Sequence, residues 1–166
     1  MAVDNTMMIN VPFTYEPNRS NRFFAEIGGS SAIVETWKIR KFKRPAMKIN
    51  SVAIPYMNEQ NYVAGRYTWD EITIDFLDPI GPSTSQQLME WVRLHAESVT
   101  GRMGYAAGYK KEIILKSLDP TGVEIEKWTL NQCMITSISF GDNDYSSDDL
   151  ITISLTVQPY RCILNV

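Results

Sequence analysis

Tyr67-Thr68-Trp69-Asp70-Glu71-Ile72-Thr73-Ile74-Asp75-Phe76-Leu77 is the stretch on which the fold turns. Successive side chains of an extended chain point to opposite faces, so Ile72, Ile74 and Phe76 fall on one side and Glu71, Thr73 and Asp75 on the other. The period of two predicts a strand over 67–77 with one buried and one wet face. The same pattern returns in Leu150 to Tyr160, where Ile151, Ile153, Leu155 and Val157 oppose Thr152, Ser154 and Thr156.

Working outward, Phe23 to Ile27 is a short apolar strand, Gly28-Gly29 a turn, and Ile33 to Ile39 the second arm of a hairpin with Ile33, Trp37 and Ile39 on one face. Met47 to Ile54 is a further strand ending at Pro55, and Tyr56 to Gly65, rich in Asn, Gln and Gly, reads as a long projecting loop or hairpin. Asp78-Pro79 and Gly81-Pro82 stop the 67–77 strand. Ser83 and Gln86 then form a capping box for a helix over Thr84 to Val99, with Leu88, Trp91, Val92, His95 and Val99 as its apolar stripe. Gly101 to Lys111 connects to strands at Glu112 to Leu118, Val123 to Leu130 and Gln132 to Phe140. Asp119-Pro120-Thr121-Gly122 turns between the first two, and the acidic turn Gly141 to Asp149 precedes the last strand. The fold class expected is mainly β: an antiparallel β sandwich or barrel with one flanking α-helix. Residues 1–22 show no sustained period and are expected as an N-terminal arm, leaving 23–166 as the β domain.

Composition fits a chain that folds around one core: 166 residues, 44% hydrophobic and 21% charged. There is no apolar run long enough to span a bilayer, and Asp4 and Asn5 stand where a signal peptide needs a basic start and an apolar stretch, so no membrane role is expected. A net charge of −3 works against an extended phosphate-binding surface. Cys133 and Cys162 lie in strand-like sequence without CxxC spacing, which points to buried free thiols in a reducing compartment rather than to zinc.

Catalytic chemistry would need convergent titratable groups. The only histidine, His95, sits on the apolar helix stripe with no acid or cysteine at motif spacing, and reads as a core or edge residue with one satisfied hydrogen bond. Nucleophile, phosphate-loop, zinc-protease and dinucleotide motifs are missing, so the chain is expected not to be an enzyme and to need no cofactor. Asp142-Asn143-Asp144-Tyr145-Ser146 begins like a calcium loop, but Ser147 and Ile153 replace the required Gly and Glu. The basic run Lys38, Arg40, Lys41, Lys43 and Arg44 is the strongest local charge feature. It reads as a solvated face or as a docking patch for an acidic surface on a neighbouring protein, with nucleic-acid binding third because Phe42 is the one stacking aromatic interleaved in it.

The order of segments carries a resemblance. Arg22-Phe23-Phe24-Ala25-Glu26-Ile27 opens the first strand, and Ile49 to Pro55 leads into Asn61-Tyr62-Val63-Ala64-Gly65-Arg66-Tyr67-Thr68-Trp69-Asp70. Ile72-Thr73-Ile74 follows, then a helix with Trp91, Trp128 before a strand, the acidic hairpin and the terminal alternating strand. From Phe23 to Tyr160 this resembles the tail tube proteins of contractile-tailed bacteriophages, related in fold to type VI secretion tube proteins. The resemblance implies a homo-hexameric ring stacked into a tube inside a contractile sheath. Its partners would be the sheath, baseplate and tail terminator proteins, with the tape-measure protein and genomic DNA passing through the lumen without tight binding. It further implies a place in the virion tail, with assembly in the host cytoplasm. The segment Met47 to Gly65 would contact the adjacent ring through Ile49, Val52, Ile54, Tyr56 and Met57. A lumen that passes a polyanion should be neutral or acidic, which makes Glu71, Thr73, Asp75, Thr152, Ser154 and Thr156 the candidates for its wall. The alternatives are a baseplate tube initiator or an injection-device ring protein. From another class, a small ligand- or glycan-binding β sandwich would be expected if Trp69, Tyr105 and Tyr109 cluster in a groove.

Overall fold

The computed structural model describes residues 16–29 and 32–165, so most of the expected arm lies outside the described residues. Nine strands, β1 (Phe23–Ile27), β2 (Ile39–Phe42), β3 (Met47–Tyr56), β4 (Glu59–Trp69), β5 (Ile72–Leu77), β6 (Lys111–Leu118), β7 (Glu124–Ser139), β8 (Thr152–Gln158) and β9 (Arg161–Asn165), accompany two helices, α1 (Thr84–His95) and the single turn α2 (Ala106–Tyr109). All pairings are antiparallel. The main sheet runs β1-β6-β7-β8-β5-β2, with β9 added to β7. It is not closed: β1 and β2 end it, and Phe23 and Phe42 meet edge to face across the gap at 5.1 Å.

β7 makes the curvature. Its first half pairs with β6 and β9, its second half with β8. Between them Asn131 and Gln132 stand opposite the single residue Glu112, with Gln132 at φ 54°. Two residues facing one is a bulge, which bends the strand and raises its twist, so one strand serves both halves of the sheet. The sequence places a break there and predicts two strands; the bulge carries the strand through.

The concave side encloses the core. Ile72, Ile74, Phe76, Ile113, Leu130, Ile153, Leu155 and Val157 are fully buried, and α1 closes over them with Leu88 and Trp91. The period-2 reading of β5 and β8 therefore holds residue for residue, except that Ile151, just before β8, is exposed. Strand 67–77 is interrupted at Asp70-Glu71, where the chain passes from β4 to β5.

Three local expectations need correction. Ile33 to Ile39 is not a strand. Val34 makes one bridge to Ile27, residues Thr36–Lys38 form a 3-10 turn, and the phase shift leaves Trp37 exposed and Lys38 buried. The helix ends at His95, and Val99 lies exposed beyond it. Its N-terminus is capped not by Ser83 with Gln86 but by Asp78, whose Oδ1 accepts the Thr84 and Ser85 amides at 2.8 and 3.3 Å while Oδ2 accepts the Ser85 hydroxyl. A carboxylate there satisfies orphan amides and complements the helix dipole. Burial pushes the Asp78 carboxyl up, and the hydrogen bonds from Ser85, Thr84 and Ser83 outweigh that, holding it below its ordinary value.

Candidate assembly surfaces

Among the described residues β3 and β4 form a two-stranded ribbon that shares no backbone ladder with another strand; at its root the Gln158 side chain of β8 donates to the Trp69 carbonyl at 2.8 Å. The expected long projection at 56–65 is thus the outer part of a hairpin spanning Met47–Trp69, turning at Met57 with φ 53°. Gly65 sits where β4 bulges over Asn50; a Cβ there would lie 2.9 Å from the Asn50 carbonyl oxygen. Beyond the bulge the register groups Val52, Val63, Ile54 and Tyr56 on one face, and Met47, Ile49 and Tyr67 share the other near the root. The candidates Ile49, Val52, Ile54, Tyr56 and Met57 are all exposed, Tyr56 at 71% and Met57 at 87%, so the ribbon carries apolar side chains on both faces without covering either. An isolated two-stranded hairpin is marginal in water, and beyond its root, where Trp69 packs on the core, this one leaves its apolar side chains exposed among the described residues.

The candidate lumen residues converge. Register pairs Thr73 with Thr156, Asp75 with Ser154 and Leu77 with Thr152, and the Ser154 hydroxyl donates to Asp75 Oδ1 at 2.7 Å. Ser137 and Ser139 of β7 extend the same face. Glu71 is exposed one residue before β5, outside the ladder. Sequence reasoning missed the other border. β2 pairs Lys41 with Asp75, and the Lys43 amide donates to the Thr73 carbonyl, so Lys41 and Lys43 stand on this hydroxyl face, with Arg40 bulged beside them.

The basic run is therefore split. Lys38 is no docking residue: it is fully buried, and its ammonium donates to the Pro82 carbonyl at 2.9 Å and to Gln87 Oε1 at 3.1 Å, tying the 3-10 turn to the start of α1. Arg40, Lys41, Lys43 and Arg44 are exposed, with Arg44 reaching Glu126 at 3.4 Å and donating to the Ser117 hydroxyl at 3.2 Å.

His95 makes two hydrogen bonds rather than one. The Trp91 carbonyl can only accept, so Nδ1–H donates to it at 3.1 Å, leaving Nε2 to accept the Ile135 amide at 3.1 Å; the ring stacks on Tyr109 at 4.3 Å. Burial pushes the imidazole below its ordinary 6.5, against the opposing pull of the Trp91 carbonyl. Cys133 and Cys162 are free and buried, and burial first of all pushes both thiols up to about 12. Among the described residues no cluster of His, Cys, Asp or Glu is arranged to hold a metal. Trp69, Tyr105 and Tyr109 do not assemble into a groove: Trp69 packs on the core, Tyr105 is 92% exposed and Tyr109 lies on His95. Asp144 is engaged locally, accepting the Ser146 amide at 2.9 Å and its hydroxyl at 2.8 Å.

The described residues form an open antiparallel sheet with one flanking helix, a separate two-stranded ribbon and a hydroxyl-rich face. No protein-family model matches the sequence, and no curated protein matches it. Solved structures do. The tube-terminating cap of the anti-feeding prophage aligns over 97% of this chain and 99% of its own at 13% identity and TM-score 0.75. A chain of the sheath-tube complex of an extracellular contractile injection system aligns over 100% and 99% at 14% identity and TM-score 0.71. The SPP1 tail tube aligns over 90% and 79% at 9% identity and TM-score 0.60. The chain has a phage tail tube-like fold, and its structural neighbours are structural components of tubes and contractile injection systems.

Proposed function

We propose that this chain is a tail tube subunit that forms hexameric rings stacked into a tube, housed in a contractile sheath and conducting DNA. The observation that carries the reading is the β3–β4 ribbon, whose exposed Val52, Ile54, Tyr56 and Met57 are covered by nothing among the described residues. Apolar surface of this kind marks a contact with another molecule, and stacking against the next ring supplies one. The face built by Thr73, Asp75, Thr152, Ser154 and Thr156, with Glu71 at its end, then lines the channel, where hydroxyls and carboxylates wet a polyanion without holding it. Sheath, baseplate, terminator and tape-measure proteins are the implied partners, and the virion tail the implied location. Purified protein should appear in negative stain as six-fold rings or as tubes. A monomer at every concentration in sedimentation would refute the proposal. A second reading, a ring that ends or starts the tube, is favoured by the match to a tube-terminating cap; it predicts rings that never elongate.

A further inference from the structure

The gap between β1 and β2, the two ends of the open sheet, is a basic cleft. Phe23 and Phe42 form its floor, and Arg19, Arg22, Arg40, Lys41 and Arg44 stand around it. Two carboxylates answer these five cations among the described residues. Glu16 lies 3.5 Å from Arg22 and 3.9 Å from Arg19, and Glu126 pairs with Arg44. Five less two leaves three positive charges, which Asp75, opposite Lys41 and lining an adjoining hollow with Arg40 and Lys41, lowers to two; Arg40 and Lys41 make no ion pair among the described residues. The complementary feature is the β7–β8 connection. Asp142, Asp144, Asp148 and Asp149 are all exposed, make no ion pair among the described residues, and flank Tyr145, which is fully exposed. The loop is shaped rather than loose: Asp144 holds Ser146, Asp149 accepts the Ser147 hydroxyl at 2.9 Å, and Gly141 at φ 78° brings its entry close to the Thr152 carbonyl where β8 begins.

We infer that the acidic loop 142–149 of one copy of this chain docks in the β1/β2 cleft of the next copy, and that this contact fixes the lateral register of the ring. The inference rests on the tube reading and deepens it. Loop and cleft are different patches of one molecule, so their pairing is head to tail, the kind of contact that closes into a ring when the rotation permits. It also resolves a conflict in the lumen wall. Arg40 and Lys41 border the hydroxyl face, and unneutralised cations there would grip DNA by counterion release. Carboxylates from the neighbour cancel them at that border.

The test is a charge swap followed by mixing. One variant carries Arg40→Glu and Lys41→Glu, the other Asp148→Lys and Asp149→Lys, each checked for native circular dichroism. Alone, each should need at least about tenfold more protein than wild type to form rings, since like charges then face each other across the junction. Mixed in equal amounts they should co-assemble, because a ring alternating the two restores opposite charges at both kinds of junction. Wild-type assembly should itself weaken as salt rises from about 0.05 to 0.5 M, as screening shortens the reach of these pairs. Should a double variant misfold, the pair Lys41→Glu and Asp149→Lys is mixed instead. Variants that assemble alone like wild type, or a mixture that stays as inert as its parts, would overturn the docking while leaving the tube reading intact. A wild-type protein that never assembles would overturn both.

Discussion

His95 joins α1 to β7, and only its neutral form can do so. Nδ1–H is committed to the Trp91 carbonyl, and Nε2 must keep a lone pair for the Ile135 amide. Protonation puts an N–H where the acceptor was, so two donors face each other in a half-buried site. Replacing His95 with Ala removes two hydrogen bonds worth about 1 kcal/mol each and a stacking contact on Tyr109 worth about 0.5–1.5 kcal/mol. A loss of about 3 kcal/mol follows, which for a domain of this size lowers Tm by roughly 6–12 °C. The pH dependence has a definite direction. The folded-state value lies below 6.5, so the unfolded chain binds the proton more readily. The neutral ring's contribution is fully present above about pH 6.5 and drains away as pH falls through the lower folded value. One proton limits the slope to about 1.4 kcal/mol per pH unit. Urea unfolding of dilute, unassembled protein at pH 7.5, 6.5, 5.5 and 5 reads it. His95→Gln cannot titrate in this range, and since the chain has a single histidine, the difference between the two curves isolates this ring. Wild type should lose stability relative to His95→Gln below pH 6.5. Parallel curves from pH 7.5 to 5 would refute the assigned tautomer and its bond to Ile135.

Deleting Tyr56 to Asn61 removes only the exposed tip of the ribbon, so the variant should keep a native circular dichroism spectrum yet form no long tubes in negative stain; normal tubes would count against the stacking role. Lys38→Met keeps the volume but strips the Pro82 carbonyl and Gln87 of their donor, and should cost about 1–3 kcal/mol in urea unfolding; an unchanged midpoint would show that water replaces the ammonium freely. Lysine at both Glu71 and Asp75 should slow DNA passage more at low salt than at high salt, and unimpaired passage would remove the lumen rationale.

The parts of the fold legible in the sequence are those where one face of a strand is buried and nothing interrupts the alternation. β5 and β8 satisfy that condition, and their buried sets match. Around Trp37 it fails. Apolar size alone puts Trp37 inside and Lys38 outside, but the 3-10 turn rotates the chain, and a lysine is long enough to bury its stem while its ammonium finds carbonyl and amide oxygens. β9 escaped notice because only Cys162 of its five residues is buried, too little to make a period. Asp78 as the cap was hidden behind a better local motif: Ser83 and Gln86 have the right spacing, whereas Asp78 reaches the helix only because Asp78 to Pro82 turns the chain back on itself.

The faces proposed for assembly were legible as exposed apolar or polar faces but not in what lies beside them, for a physical reason. Alternation along one strand says which side chains share a face, but register alone says what lies beside them, and register here is set by bulges. The extra Arg40 in β2 shifts Lys41 opposite Asp75. Without it the basic run would read as a separate patch, and with it the run becomes the border of the hydroxyl face. In the ribbon, the bulge at Gly65 moves β4 by one residue against β3, so Val63 and Tyr67, four apart in sequence, fall on opposite faces, Val63 beside Val52 and Tyr67 beside Ile49. An apolar pattern that serves both faces of a two-stranded ribbon looks from the sequence like a buried core strand with irregular spacing. Among the described residues nothing covers Tyr56 and Met57, and under the proposed function assembly, rather than unfolding, is the measurement that reads them.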